Sequence, residues 1–238
     1  MTPEPLVPLQ QHGGAPPLYC THALGGAVFL YLELARALGP DQPCFGLQAR
    51  GLHRSEAPRT DVEEMATAYA AALRRCGAGP PWHLVGWSWG GVVALEVARR
   101  LREAGEPVGM LVLIDTLPPR GRMEPASADE VEAAFQHELG DDPAARRWSE
   151  PLRRRLLDVF SSHLHALWNY EPRPYDGMVT LLQTGEADRV ASARLAWLRL
   201  CPAGLRVVPV PGDHYGVMGP PAVAHVAVVL RALVLGGA

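Results

Sequence analysis

Between an apolar run, Trp82 to Trp87, and a helical pattern, Val92 to Leu101, the chain places Gly86, Ser88 and Gly90. A serine with glycines two residues to either side, in a strand–turn–helix setting, predicts a sharp elbow. The turn would hold the hydroxyl above the edge of a parallel sheet. Glycines are needed because a Cβ at either position would meet the neighbouring strand or helix. The chain has 24 glycines, so the bare spacing carries little; the strand before it and the helix after it carry the weight.

The rest of the chain suits that setting. Apolar runs alternate with helical patterns almost throughout, which predicts a parallel sheet with crossover helices. Strands are expected at Leu18–His22, Pro43–Leu47, 82–87, Val108–Asp115, Met178–Gln183 and 205–210. Helices are expected over Phe29–Leu38, from a Thr60/Glu63 capping box to Cys76, and over Trp89 to about Ala104. Later helices are expected near 190–200 and 221–235. The alternation breaks after Asp115. Residues 117–125 are rich in Pro, Gly and Arg, and helical segments at 127–139 and 149–168 follow without a strand. Ser127 and Glu130 make a second capping box. Helices inserted after a sheet strand read as a lid over a site, about 117–170, within a single domain spanning 1–238.

With 238 residues the chain suffices for one α/β domain. No apolar stretch reaches 18 residues, so no membrane span is expected. Met1–Gln11 shows no secretory pattern, so a cytoplasmic location is the expectation. Cys20, Cys44, Cys76 and Cys201 match no metal pattern and read as reduced thiols. All 22 basic residues are arginine, and the net charge of −3 gives no electrostatic case for nucleic acid or an anionic membrane.

A serine hydroxyl needs a base within hydrogen-bond reach, and the base needs an orienting carboxylate. In α/β-hydrolases the chain order is serine, acid, histidine. His214, in Pro211-Gly-Asp-His-Tyr215, directly follows the last strand and is the candidate base. His163 and His165, in the insertion, and His225, in the last helix, read as amphipathic-face or surface residues. Two acids qualify. Asp115 ends the strand before the insertion, and Asp188 lies in a loop after the strand 178–183. Strand-end geometry leaves them even. An oxyanion hole needs two backbone N–H donors. Trp89 should supply one. The loop His22-Ala-Leu-Gly-Gly26 should supply the other, from Leu24 or alternatively Ala23.

Taken together, these residues resemble the thioesterase domains that end nonribosomal peptide and polyketide synthetases. The resemblance covers nearly the whole chain. It rests on Leu18-Tyr-Cys-Thr-His-Ala-Leu-Gly-Gly26, Phe45-Gly-Leu-Gln-Ala-Arg-Gly51, Gly86-Trp-Ser-Trp-Gly-Gly91, Leu113-Ile-Asp115, Pro172-Arg-Pro-Tyr-Asp-Gly177 and Val210-Pro-Gly-Asp-His214. It implies an α/β-hydrolase fold, a mostly parallel sheet flanked by helices, with the helical lid inserted after the strand ending at Asp115. It implies Asp115 rather than Asp188 as the acid, and Leu24 as the oxyanion donor.

The implied reaction is release of an acyl or peptidyl chain from the phosphopantetheine thioester of a carrier protein. An acyl-Ser88 ester would form, then yield to water or to a nucleophile within the chain. No metal and no bound cofactor is required, and a monomer is the default. Trp89 should line part of the acyl pocket and Trp87 should pack. Arg153-Arg154-Arg155 reads as a solvated helix face, with a dock for an acidic carrier as the alternative. Freestanding editing thioesterases usually carry the acid at the Asp188 position and His-Ser-Met in the elbow, where this chain has Trp87-Ser88-Trp89. A freestanding editing enzyme, a carboxylesterase or lipase, and a hydrolase fold kept for binding are the competing readings.

Overall fold

A computed structural model describes residues 5–53, 56–121, 127–139, 147–185 and 187–236, without the side chains of 187–193. Parts of the expected 117–170 insertion and the Asp188 side chain therefore lie outside the described residues. The strands are β1 (Leu6–Gln10), β2 (Leu18–Thr21), β3 (Cys44–Leu47), β4 (Trp82–Trp87), β5 (Val108–Ile114), β6 (Val179–Gln183) and β7 (Leu205–Pro209). They form one sheet in the order β1-β3-β2-β4-β5-β6-β7. Every neighbouring pair is parallel except β1 with β3.

The helices are α1 (Leu32–Leu38), α2 (Val62–Arg75), α3 (Trp89–Glu103), α4 (Ala128–Leu139), α5 (Glu150–Asn169), α6 (Ala187–Leu200) and α7 (Ala222–Gly236). None of the described helices is long and apolar enough to cross a membrane. The two faces of the sheet are read directly from the alternation in β4 and β5. Trp82, Leu84, Leu111 and Leu113 point into a core shared with α2, α3 and Trp197 of α6. Val85, Trp87, Val112 and Ile114 point into the opposite core, shared with α1 and α7. Burial on both faces explains the continuous apolar run of β5. Val112, Leu113 and Ile114 are fully buried, and each contributes about 1.5–3 kcal/mol.

Three local expectations need correction. β1 was not foreseen, because Pro8 interrupts its pattern; it forms as an edge strand with an irregularity between Pro8 and Gln10, where proline's missing N–H costs no ladder bond. The α2 cap is Asp61 rather than Thr60: Asp61 Oδ1 accepts from the Glu64 N–H at 2.8 Å. Glu63 turns outward instead, with Arg100 Nη2 2.6 Å from its carboxylate. The third correction is that α6 begins at Ala187, so Asp188 sits in a helical first turn and not in a loop. The Ser127/Glu130 box forms as expected, with the Ser127 N–H donating to Glu130 at 2.7 Å and the Glu130 N–H to Ser127 Oγ at 3.3 Å.

Glu96 is a buried carboxylate on α3, between Arg99 and Arg100. Tyr170 donates its hydroxyl to it at 2.9 Å, which ties α3 to the end of α5. Burial alone would raise its pKa, but Arg99, then Tyr170 and Arg100, outweigh burial and hold it below the ordinary carboxylate value. A folded-state pKa below the unfolded one gives stabilisation above the unfolded value, lost as pH falls through the folded value. Glu96→Ala leaves the buried Arg99 with only the half-exposed Glu103 as a partner and is expected to cost about 3 kcal/mol. A thermal melt at neutral pH should show a fall of roughly 10 °C, and a smaller difference from the parent at pH 3.

Candidate active site

The sheet register brings the site residues to one edge. Thr21 pairs with Gly86, Trp87 with Ile114, and Ile114 with Leu182. The residues that follow β2, β4, β5, β6 and β7 therefore emerge side by side at the C-terminal ends of parallel strands, where open α/β sheets place their ligands.

Ser88 has φ 55° and ψ −130°, a backbone region that costs a non-glycine residue of order 1–3 kcal/mol. The flanking glycines make it reachable. A Cβ on Gly86 would overlap the Gly90 carbonyl, and one on Gly90 would lie 2.5 Å from the Thr21 carbonyl oxygen and 2.7 Å from that of His22. Thr21 Oγ1 in turn donates to the Gly90 carbonyl at 2.5 Å. The first turn of α3 is thus pressed against the end of β2. Gly90→Ala must push the two apart, and overpacking of this kind costs about 1–3 kcal/mol. A lower melting temperature together with slower fluorophosphonate labelling of Ser88 is the expected result.

His214 Nε2 lies 3.0 Å from Ser88 Oγ, and His214 Nδ1 lies 2.7 Å from Asp115 Oδ2. A carboxylate only accepts, so Nδ1 carries the proton and Nε2 faces the serine as an acceptor. Asp115 is fully enclosed and has φ 42°. Its second oxygen, Oδ1, accepts from Gln183 Nε2 at 2.8 Å and from the Thr184 N–H at 3.0 Å. Burial would raise the Asp115 pKa, but the hydrogen bonds to His214 and Thr184 outweigh it and hold the carboxyl below its ordinary value. The acid therefore stays ionised beside the imidazole, and the arrangement can take a proton from the hydroxyl.

The structure thus brings Ser88, His214 and Asp115 together, and it places no other described acid on His214 Nδ1. Gln183 and Trp87 were not foreseen in this setting. Trp87 stacks on the His214 ring at 5.1 Å and donates its indole N–H to the His214 carbonyl at 3.0 Å. It packs, as expected, but what it packs against is the histidine. A polar residue ending the strand beside Asp115 was the available signal for Gln183; no local signal ties Trp87 to a residue 127 positions away.

Leu24 lies with Ser88 and Trp89 in the wall of a cavity of about 500 Å³. Trp89 is the first residue of α3, where backbone N–H groups have no intrahelical partner. Ala23 instead packs into the α1/α7 core. The remaining wall is mostly apolar: Val92, Leu117, Pro118, Leu167 and Trp168, with His137 and Tyr215 at its rim. Leu117 is 48% exposed there, an apolar surface left open toward the cavity. α4 and α5 thus stand over the elbow, joined by Val131, Phe135, Phe160 and Leu164. Tyr215, next to His214, reaches Glu138 of α4 at 3.4 Å.

Of the other histidines, His225 is exposed and His165 half-buried. His163 is only 1% exposed, so of its two readings, amphipathic face or surface, it takes the first, on the buried face of α5. Arg153 is paired with Glu132, and Arg154 lies 3.9 Å from Glu150, so the arginine run is partly neutralised by its own neighbours.

A mostly parallel sheet carrying this strained serine elbow defines an α/β-hydrolase. Residues 16–232 match the family model for the thioesterase domain, and the chain belongs to that family. It is 31% identical over 204 residues to the dimodular nonribosomal peptide synthase of Bacillus subtilis (strain 168), covering 75% of this chain and 8% of that one. It spans a similarly small part of the other synthetases it matches. Among solved structures, the Vlm2 thioesterase domain carrying 2,3-diaminopropionic acid bound with a dodecadepsipeptide superposes with a TM-score of 0.78 at 26% identity, covering 97% of this chain and 98% of that one. The covalent complex of the NocB thioesterase domain with a fluorophosphonate nocardicin G analogue gives a TM-score of 0.76 at 30% identity, covering 96% and 98%.

Proposed function

We propose that this chain releases an acyl or peptidyl chain from the phosphopantetheine thioester of a carrier protein through an acyl-Ser88 intermediate. The observation that carries the reading is the unbroken hydrogen-bonded series Asp115–His214–Ser88 opening on an apolar cavity in a thioesterase-family chain.

Ser88 Oγ attacks the thioester carbonyl carbon as its proton passes to His214 Nε2. The imidazolium is held by the ionised Asp115, and the base is worth about 10²–10⁴-fold. Negative charge gathers on the carbonyl oxygen, facing the N–H groups of Leu24 and Trp89; one such donor is worth about 10²–10³-fold. The C–S bond breaks, the sulfur leaves with the proton from His214, and the acyl group remains as an ester on Ser88. Water, or a hydroxyl or amine within the acyl chain, then gives its proton to His214 and attacks the ester. The product leaves as an acid or a ring, and Ser88 recovers its proton. α4 and α5 act as a lid that shapes the apolar cavity and limits water. The apolar wall suits a chain with substantial hydrocarbon or aromatic surface. The carrier is a separate protein or part of the same polypeptide; the chain has no Gly-x-Asp-Ser-Leu carrier signature of its own.

Intact-mass spectrometry after incubation with a loaded carrier protein tests the reading. An adduct of the acyl mass on Ser88 is expected, together with faster turnover of acyl-N-acetylcysteamine thioesters than of p-nitrophenyl esters. A clear preference for simple oxoesters, with no adduct from the carrier, would overturn it.

A further inference from the structure

Among the buried histidines that the mechanism leaves unused are His22 and His163, at 0% and 1% exposure. Both touch the loop that presents Leu24. His22 Nδ1 lies 2.8 Å from the Ala23 carbonyl oxygen, and its Nε2 lies 2.7 Å from Tyr69 Oη on α2. A carbonyl only accepts, so Nδ1 donates and Nε2 accepts from the tyrosine. His163, on α5, lies with Nδ1 2.7 Å from the Leu24 carbonyl oxygen and donates to it. The carbonyls on both sides of Leu24 are therefore held by imidazole N–H groups.

Peptide planarity makes the consequence specific. The Ala23 carbonyl and the Leu24 N–H belong to one trans peptide and point in opposite directions. The His22 bond, with a second one from the Gly26 N–H at 2.9 Å, draws that carbonyl one way and so aims the Leu24 N–H the other. The Leu24 carbonyl belongs to the next peptide. With that peptide held by His163, the ψ of Leu24 cannot drift. His163 also stacks between the rings of His22, at 4.7 Å, and Trp89, at 6.2 Å. It thus contacts both residues assigned as oxyanion donors. The approach is close enough to require glycine: a Cβ on Gly26 would lie 2.8 Å from Val159 and 3.4 Å from His163, both on α5. Burial lowers the His163 pKa to about 4 and the His22 pKa to about 3, so both rings stay neutral around neutral pH.

We propose that His163 is a positioning residue through which the inserted helix α5 aligns the oxyanion hole: the Leu24 donor is correctly aimed only while α5 is seated on the His22–Gly26 loop. The inference rests on the oxyanion role given above to Leu24 and Trp89. One turn beyond His163, Leu167 and Trp168 of the same helix line the cavity. An acyl chain packed against them bears on the element that holds the donor. Substrate seating and oxyanion alignment are coupled through one rigid helix, and a chain too short to reach that wall forgoes the coupling.

Three substitutions separate this from packing alone. Asparagine puts an amide N–H where histidine has Nδ1–H, glutamine puts it one bond further out, and leucine fills the space with no donor. His163→Gln and His163→Leu are expected to lower kcat on an acyl-N-acetylcysteamine thioester roughly 10- to 100-fold, part of what losing a whole oxyanion donor costs. KM should change by less than about threefold, the pattern of an interaction made in the transition state. His163→Asn is expected to restore most of the rate. Affinity for a trifluoromethyl ketone, which forms a tetrahedral adduct on the serine, should fall in step with kcat across the series. Full kcat in His163→Gln and His163→Leu would overturn the proposal, as would equal losses in the Asn and Gln variants with ketone affinity unmoved. Should the leucine variant not fold, the Asn/Gln pair decides. Ser88→Ala is run alongside. An inactive Ser88→Ala with a fully active His163→Gln removes only this inference, whereas an active Ser88→Ala removes the reading of the site itself.

Discussion

Ser88→Ala is expected to reduce thioester turnover by about 10⁵-fold or more, since removing the nucleophile of such a unit costs nearly as much as removing the whole unit. Fluorophosphonate labelling should vanish with it. The fold should survive. Alanine keeps the Cβ, so the φ 55° backbone is no more strained than before, and among the described residues the lost hydroxyl's side-chain partner is His214. A small rate should persist, because the oxyanion donors and the cavity remain. Turnover at the parent rate in this variant would end the acyl-serine account.

Asp115→Asn is expected to be the next most damaging change, at about 10³–10⁴-fold in kcat, with little loss of structure. The surroundings of the carboxylate dictate why. Oδ1 accepts from Gln183 Nε2 and the Thr184 N–H, so the amide oxygen of asparagine must take that position. The amide NH2 then faces His214 Nδ1, 2.7 Å away in the parent, where a donor already points. His214 escapes the clash only by moving its proton to Nε2, and there it can no longer accept one from Ser88. Single-turnover acylation should slow while substrate affinity holds. Parent-like acylation would mean that another carboxylate serves the histidine, and Asp188 is the alternative the sequence offers.

Much of this site was legible before folding was considered. The Gly-x-Ser-x-Gly spacing is readable because it answers a local steric demand: Gly86 and Gly90 are there to keep Cβ atoms off backbone carbonyls. His214 is readable because a base must lie beyond a late strand, and β7 announces itself by its apolar run. The acid was harder. Asp115 and Asp188 both follow strands, and spacing alone treats them alike. What the structure adds is the β5–β6 register, which lays Ile114 beside Leu182 and so delivers two donors from Gln183 and Thr184 to the Asp115 carboxylate. β1 escaped notice because an edge strand tolerates a proline that a central strand would refuse. His163 looked like a helix-face residue because a periodic pattern says which way a side chain points and not what it meets.

The order of residues along the chain decided the layers of the fold, the elbow and the pair Ser88 and His214, because hydrophobic period and turn sterics act over a few neighbouring residues. The hydrogen bonds that seat Asp115, the packing of Trp87 on His214 and the contact of α5 with the His22–Gly26 loop were decided only in three dimensions. Each joins groups 68 to 139 residues apart, and such meetings are set by strand register and helix packing, which no local pattern encodes.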